Sequence, residues 1–187
     1  MGHTVRLGID LDGVVADFNA GWMRLHAEEF GSELDPSLVR GWDNLHEVGG
    51  FDHMGHFWHW ARGGDRRPSI FRHLDTFDGA IETLYRLARQ GHDVVVLTSK
   101  PDWAIPDTLH WLADVAMPTR EVHFLDDKWR IECDIYLDDS PTVVPGLVTN
   151  RPAATACRFV RDWNDPVDGA VDVHDWDHFA KVVDALA

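Results

Sequence analysis

The stretch VRLGIDLDGVVADF, residues 5–18, decides the fold. Its first half is an apolar run of the kind that forms a buried strand. The run stops abruptly at Asp10 and Asp12, and Gly13 and Asp17 follow. Two carboxylates and a glycine therefore stand where a buried strand gives way to a loop. Each acid alone is an ordinary strand end, because loops are solvated. A chemical reading needs other parts of the chain to converge on the same place.

They do. Residues 17–30, DFNAGWMRLHAEEF, read as a helix, with Phe18, Trp22, Leu25 and Glu29 at helical intervals. Residues 31–76 are rich in Gly, Trp, His and Asp, with short helical fragments such as FDHMGHFWHWARGG. Regularity returns with DGAIETLYRLARQG, a helix with Asp78 as candidate N-cap, an apolar stripe of Ile81, Leu84, Tyr85 and Ala88, and a stop at Gly91. DVVVLTS follows as a continuous buried strand, then a helix over IPDTLHWLADVAM with Pro106 in its first turn. VHFL and DIYLDD read as two more strands, and DWDHFAKVVDAL as a closing amphipathic helix.

Apolar strands alternating with helices predict an α/β fold, a parallel sheet covered on both faces. Ligands of such sheets bind beyond the carboxyl ends of the strands. Asp10 and Asp12, Thr98 and Ser99, and Asp138 and Asp139 close three strands and should share one rim. The chain is expected to divide into a catalytic core, 1–17 and 77–187, and a small helical cap, 18–76, inserted after the first strand and lying over that rim.

Composition narrows the partners. The 187 residues suit one domain with an insertion, large enough to fold without a disulfide or structural metal. The two cysteines, Cys133 and Cys157, form no CxxC pair, and no stretch is long and apolar enough to span a bilayer. A reduced, cytoplasmic protein without a membrane partner is the expectation. Lys plus Arg is 17 against 32 Asp plus Glu, a net charge of −15. That excludes a general binder of nucleic-acid polymers but not a small anionic substrate, which needs only local positive charge or a cation. Oligomeric state is not legible.

Four carboxylates crowded at one rim repel and resist ionising together. A divalent cation removes that cost, and all-oxygen ligation suits Mg²⁺, which pairs one or two carboxylates with substrate phosphate. A small phosphate ester is then the natural partner. Asp10 is placed to attack phosphorus, and Asp12 to give a proton to the leaving oxygen and take one from water. Gly13 would turn the backbone beneath the phosphate and present amide donors. Thr98 and Ser99 would bond phosphoryl oxygens, and Lys128 would supply fixed positive charge. Lys100 could reach the anion as well, although a solvated loop is the plainer reading. The plainer reading of Thr98 is a helix cap, and of Lys128 a surface ion pair.

These residues carry a resemblance. DLDGVVADF resembles the first motif of the haloacid dehalogenase-like superfamily, VVVLTS its second, Lys128 in FLDDKWR its third and IYLDDSP its fourth. The resemblance implies a Rossmann-like doubly wound core and an aspartyl-phosphate intermediate on Asp10. It implies a cation held by the Asp10 carboxylate, the Asp12 carbonyl and Asp139, with Asp138 in support. An acid at position 12 points to a phosphatase or phosphotransferase within the superfamily. More narrowly, the same first motif, Trp42, FDGAIETLYRLARQGHDVVVLTS and DDKWRIECDIYLDDSP are similar to the 5′(3′)-deoxyribonucleotidase family, with NRPAATACRFVRDWND resembling its closing region. That implies hydrolysis of nucleoside monophosphates, with Phe18 and Trp42 as contacts to the substrate. The run HMGHFWHWARGGDRRP has no counterpart there, so base and sugar preference stay open.

Plainer readings apply to the rest of the cap. Phe57 and Trp58 suit its own small core. His53, His56 and His59 recur every third residue, a spacing that admits a zinc site, but an aqueous surface is the simpler expectation. Arg66 and Arg67 could draw in an anion or simply be solvated. A sugar phosphate as substrate, a receiver-like phosphoacceptor and an idle binding protein are the competing functions.

Overall fold

The computed structural model describes residues 3–187; residues 1 and 2, the start of the expected first core segment, lie outside it. Strand β1 (Arg6–Ile9) forms where the sequence places it, with Leu7 and Ile9 fully buried. Two-residue β2 (Ala16–Asp17) leads into α1 (Phe18–Phe30). The side chain of Asp17 caps that helix, accepting the Ala20 N–H at 3.1 Å. Two short helices follow, α2 (Leu45–Val48) and α3 (Met54–Ala61), before β3 (Asp75–Thr76) pairs antiparallel with β2. The chain thus leaves the sheet and returns to it through a two-stranded ribbon.

Helix α4 (Ala80–Arg89) starts later than the sequence suggests. Gly79, in the left-handed conformation, is its N-cap, and no side chain caps it, so the cap assigned to Asp78 is not made. Strand β4 (Asp93–Thr98), helix α5 (Ile105–Asp114) and strands β5 (Glu121–Phe124) and β6 (Ile135–Asp138) follow as read. Three further elements were not read: α6 (Val143–Asn150), β7 (Thr155–Phe159) and β8 (Val171–Val173). Helix α7 (Trp176–Leu186) closes the chain.

The six long strands make one sheet in the order β5-β4-β1-β6-β7-β8, parallel at every junction. The chain winds outward from β1 to β5, then crosses back to the other side of β1 to begin β6. Strand order reverses there, and the reversal opens a crevice at the carboxyl ends of the strands. Those ends carry Asp10, Thr98 and Asp138.

A continuous apolar core runs from the sheet into the 18–76 segment, joining Leu7, Ile9 and Leu84 with Trp22, Phe57 and Ile70. Each such side chain contributes about 1.5–3 kcal/mol by leaving water. Polar ties fix the segment's exit as well. Trp111 on α5 donates its indole N–H to the Leu74 carbonyl at 2.8 Å, and Asp107 accepts the Ser69 N–H at 2.7 Å. Both cysteines are buried free thiols, and burial pushes Cys133 up to about 11 and Cys157 up to about 12. No helix among the described residues is long and apolar enough to cross a membrane.

Candidate active site

Because β1, β4 and β6 are adjacent and parallel, their last side chains meet. Asp10, Asp12, Thr98, Lys128, Asp138 and Asp139 are all buried, six polar residues in the same crevice. Burying so many charges is costly unless they are paired. The pairing is specific. The Lys128 ammonium lies 2.8 Å from Asp10 Oδ1 and 2.6 Å from Asp138 Oδ2. It is neither solvated nor on the surface. Burial works against its charge, but the Asp10 and Asp138 carboxylates outweigh that cost and raise its pKa.

Both oxygens of Asp138 are engaged: its Oδ1 accepts the Ser140 N–H at 2.8 Å and its Oδ2 meets Lys128. Asp139 is held from the other side, its Oδ2 accepting the Trp163 indole N–H at 2.8 Å. Burial pushes Asp138 up to about 6, and burial with repulsion from Asp10 and Asp138 pushes Asp139 well above the ordinary carboxylate range.

Oxygens of Asp10, Asp138 and Asp139 can all lie within 4.8 Å of one another. Three buried carboxylates faced by one ammonium leave a negative excess that a divalent cation fits in both charge and donor type. Gly13 completes the enclosure. A Cβ built there would run into the Asp139 carboxylate, and its φ of 79° is one that L side chains rarely adopt. Its own N–H is not a free donor, as the sequence reading supposed; it bonds the Ala16 carbonyl at 2.9 Å and closes the turn.

Lys100 departs from its plainer reading. Its side chain is 1% exposed and forms an ion pair with Asp12 Oδ2, with the ammonium 3.7 Å from the centre of the Phe71 ring. Burial raises the Asp12 pKa and lowers that of Lys100, each against the pull of the other. The second oxygen of Asp12, Oδ1, is buried without a partner.

Asp10, Asp12, Lys128 and Asp139 form the floor of a cleft of about 540 Å³. One wall is aromatic, from Trp42, Trp58 and Phe71, and Asp126, Asp127 and Trp129 also line the cleft. Thr98 and Ser99 line it too, with the Ser99 hydroxyl donating to the Leu125 carbonyl at 3.0 Å. Thr98 ends β4 and caps no helix. Phe18 stands behind this wall, buried, its ring 4.6 Å from that of Trp42. Phe57 is fully buried, as a core reading requires, whereas Trp58 reaches the cleft. Arg67 neither faces an anion site nor is solvated: it pairs with Glu29 and donates to the Trp60 carbonyl at 2.8 Å. The histidines of α3 do not gather a metal site; the cluster found among the described residues is the aspartate trio.

Sequence reasoning missed Trp163, Asn164 and Arg161. The signal lay in TACRFVRDWND, an apolar run ending in polar residues like the three strands already recognised.

Comparison with known proteins identifies the family and the fold. Residues 3–186 match the family model for 5′ nucleotidase, deoxy (pyrimidine), cytosolic type C protein (NT5C). A Chlorobaculum tepidum protein carrying the provisional name 5′(3′)-deoxyribonucleotidase is 27% identical over 163 residues, 83% of this chain and 79% of that protein. A Bacillus cereus protein provisionally named a nucleotidase is 21% identical over 160 residues, 77% of this chain and 81% of its own. The crystal structure of a predicted phosphatase from Clostridium acetobutylicum superposes with a TM-score of 0.67 at 18% identity, covering 98% of this chain and 100% of the other, a likeness of fold.

Proposed function

The chain belongs to the cytosolic type C 5′ nucleotidase family of haloacid dehalogenase-like phosphatases, and on that premise we propose that it hydrolyses nucleoside monophosphates through a phosphorylated Asp10. The carrying observation is the set of carboxylates around Lys128 at the floor of an aromatic-walled cleft.

Asp10, held by Lys128, attacks phosphorus in line with the leaving oxygen. The new bond is between an Asp10 oxygen and phosphorus; the bond that breaks joins phosphorus to the sugar oxygen. Asp12, whose burial favours the protonated form, gives its proton to that oxygen. It then takes a proton from the water that cleaves the aspartyl phosphate, which restores Asp10 and releases phosphate. Lys128 balances charge on Asp10 and the transferring group. Thr98, which lines the cleft, would bond a phosphoryl oxygen, whereas the Ser99 hydroxyl is already given to the Leu125 carbonyl. Asp10, Asp139 and the Asp12 carbonyl would hold Mg²⁺, with Asp138 fixing Lys128 beside them. When bound, the ion supplies charge neutralisation at the phosphate.

Residues 18–76 act as the cap and 1–17 with 77–187 as the catalytic unit. Trp42, backed by Phe18, faces the base or sugar. Phosphate release from a panel of nucleoside monophosphates and sugar phosphates, with Mg²⁺ and after chelation, tests the proposal. Turnover of the nucleotides that needs Mg²⁺ supports it. Turnover of sugar phosphates with nucleotides inert overturns the substrate, and full activity after chelation overturns the metal.

A further inference from the structure

The loop that follows β7 reaches both acid-bearing loops of the site. Arg161 lies between two rings, 4.1 Å from the centre of Phe77 and 4.0 Å from that of Phe159, and its Nε donates to the Gly13 carbonyl at 2.7 Å. Asn164 is a buried hub. Its amide N–H groups donate to the Asp139 carbonyl at 2.7 Å and the Phe159 carbonyl at 2.9 Å. Its oxygen accepts from Arg158 Nη1 at 2.7 Å and from the Arg161 N–H at 3.1 Å. Between them Trp163 points its indole N–H at Asp139 Oδ2, 2.8 Å away.

We propose that Trp163 is a positioning residue for the cation: its indole N–H fixes the Asp139 carboxylate so that the remaining oxygen faces Asp10. The inference rests on the metal reading above and deepens it. An indole is a donor only, so it can hold a carboxylate oxygen without becoming a rival ligand. A ring has two side-chain torsions to immobilise, and Arg161 and Asn164 on either side fix the backbone that carries it. Partners of this kind orient metal-binding carboxylates, and their loss costs about 10–100-fold in metal affinity. Asn164 cannot replace the indole, because both of its amide N–H groups go to main-chain carbonyls, and Arg161 makes no hydrogen bond to Asp139: its Nε is given to the Gly13 carbonyl and its Nη2 is buried without a partner.

The test compares wild type with Trp163→Phe, which keeps a ring and deletes the N–H. Mn²⁺ serves as the probe, with free ion counted by electron paramagnetic resonance during titration of metal-free protein. The expected result is Mn²⁺ binding weakened about tenfold, with the metal-free melting temperature little changed. At saturating metal, KM for an aryl phosphate stays near wild type. Equal Mn²⁺ affinity in the two proteins overturns the role of Trp163 while leaving the metal site standing. Absence of Mn²⁺ binding by wild type overturns both. The wild-type protein offers a second readout that needs no altered fold. The indole N–H resonance of Trp163 should move on addition of Mg²⁺, and a resonance that stays fixed through saturation counts against the proposal.

Discussion

The sheet rim and the 18–76 segment solve opposite problems with opposite chemistry. At the rim, Asp10, Asp12, Asp138 and Asp139 are buried in one crevice and held by Lys128 and Lys100. Across the cleft, the segment presents the rings of Trp42, Trp58 and Phe71. Charge buried at the ends of rigid strands suits a reaction at phosphorus, because preorganised charges need no rearrangement as the reaction proceeds. Flat rings suit recognition of a flat ligand. One contact crosses the divide: Lys100 pairs with Asp12 and rests on the Phe71 ring.

If the rim does the chemistry, Asp10→Asn should lower kcat by about 10⁴-fold or more on every phosphate ester while thermal melting stays cooperative. Near-normal turnover would erase the distinction between the two regions. Lys100→Met tests the crossing contact. It leaves Asp12 buried without its counter-charge, and we expect roughly a 10²-fold loss in kcat on nucleotide and aryl phosphate alike. A loss confined to nucleotides would move Lys100 to the recognition side.

Trp42→Ala should sharpen the contrast. It should reduce kcat/KM for nucleoside monophosphates about tenfold, a stacking contact of about 1.4 kcal/mol, and leave aryl phosphate turnover unchanged. Equal losses on both would place Trp42 in the cap's framework only. The smallest effect concerns pH. Asp138 at about 6, with Asp12 and Asp139 also raised by burial, are groups whose folded pKa exceeds the unfolded value. Their stabilising contribution is complete below the ordinary carboxylate range; that of Asp138 is lost as pH rises through about 6, and those of Asp12 and Asp139 as pH rises through their own raised values. The metal-free protein should therefore melt a few degrees lower at about pH 7.5 than at about pH 5.5, and Mg²⁺ should stabilise it more at the higher value. Melting independent of pH in that window would show that the rim is less crowded than its geometry implies.

The two regions also differed in how well they could be read. The rim was legible because a parallel strand buried on both faces is a continuous apolar run, and its terminating acids stand out. Asp10, Asp12, Asp138 and Asp139 were all found in that way. Strand β7 escaped because Arg158 interrupts it, and only the fold shows that Arg158 is paired with Asp172 at 2.7 Å. With β7 unread, Arg161, Trp163 and Asn164 had no strand end to occupy. Lys100 looked solvated because its two partners, Asp12 and Phe71, are distant in sequence. In the 18–76 segment, no periodicity separates Trp58, which reaches the cleft, from Phe57 beside it, which is fully buried. That choice is made by tertiary packing, and the helix concerned spans only Met54–Ala61.

The contact between Gly13 and Asp139 carries a consequence for how such a chain can drift. One position lies in the turn after the first strand and the other just after β6, yet no side chain can enter at 13 without displacing the carboxylate at 139. The two positions are thus coupled through space. An alanine at 13 is a lesion at the opposite motif, because its methyl group would push the Asp139 carboxylate out of place.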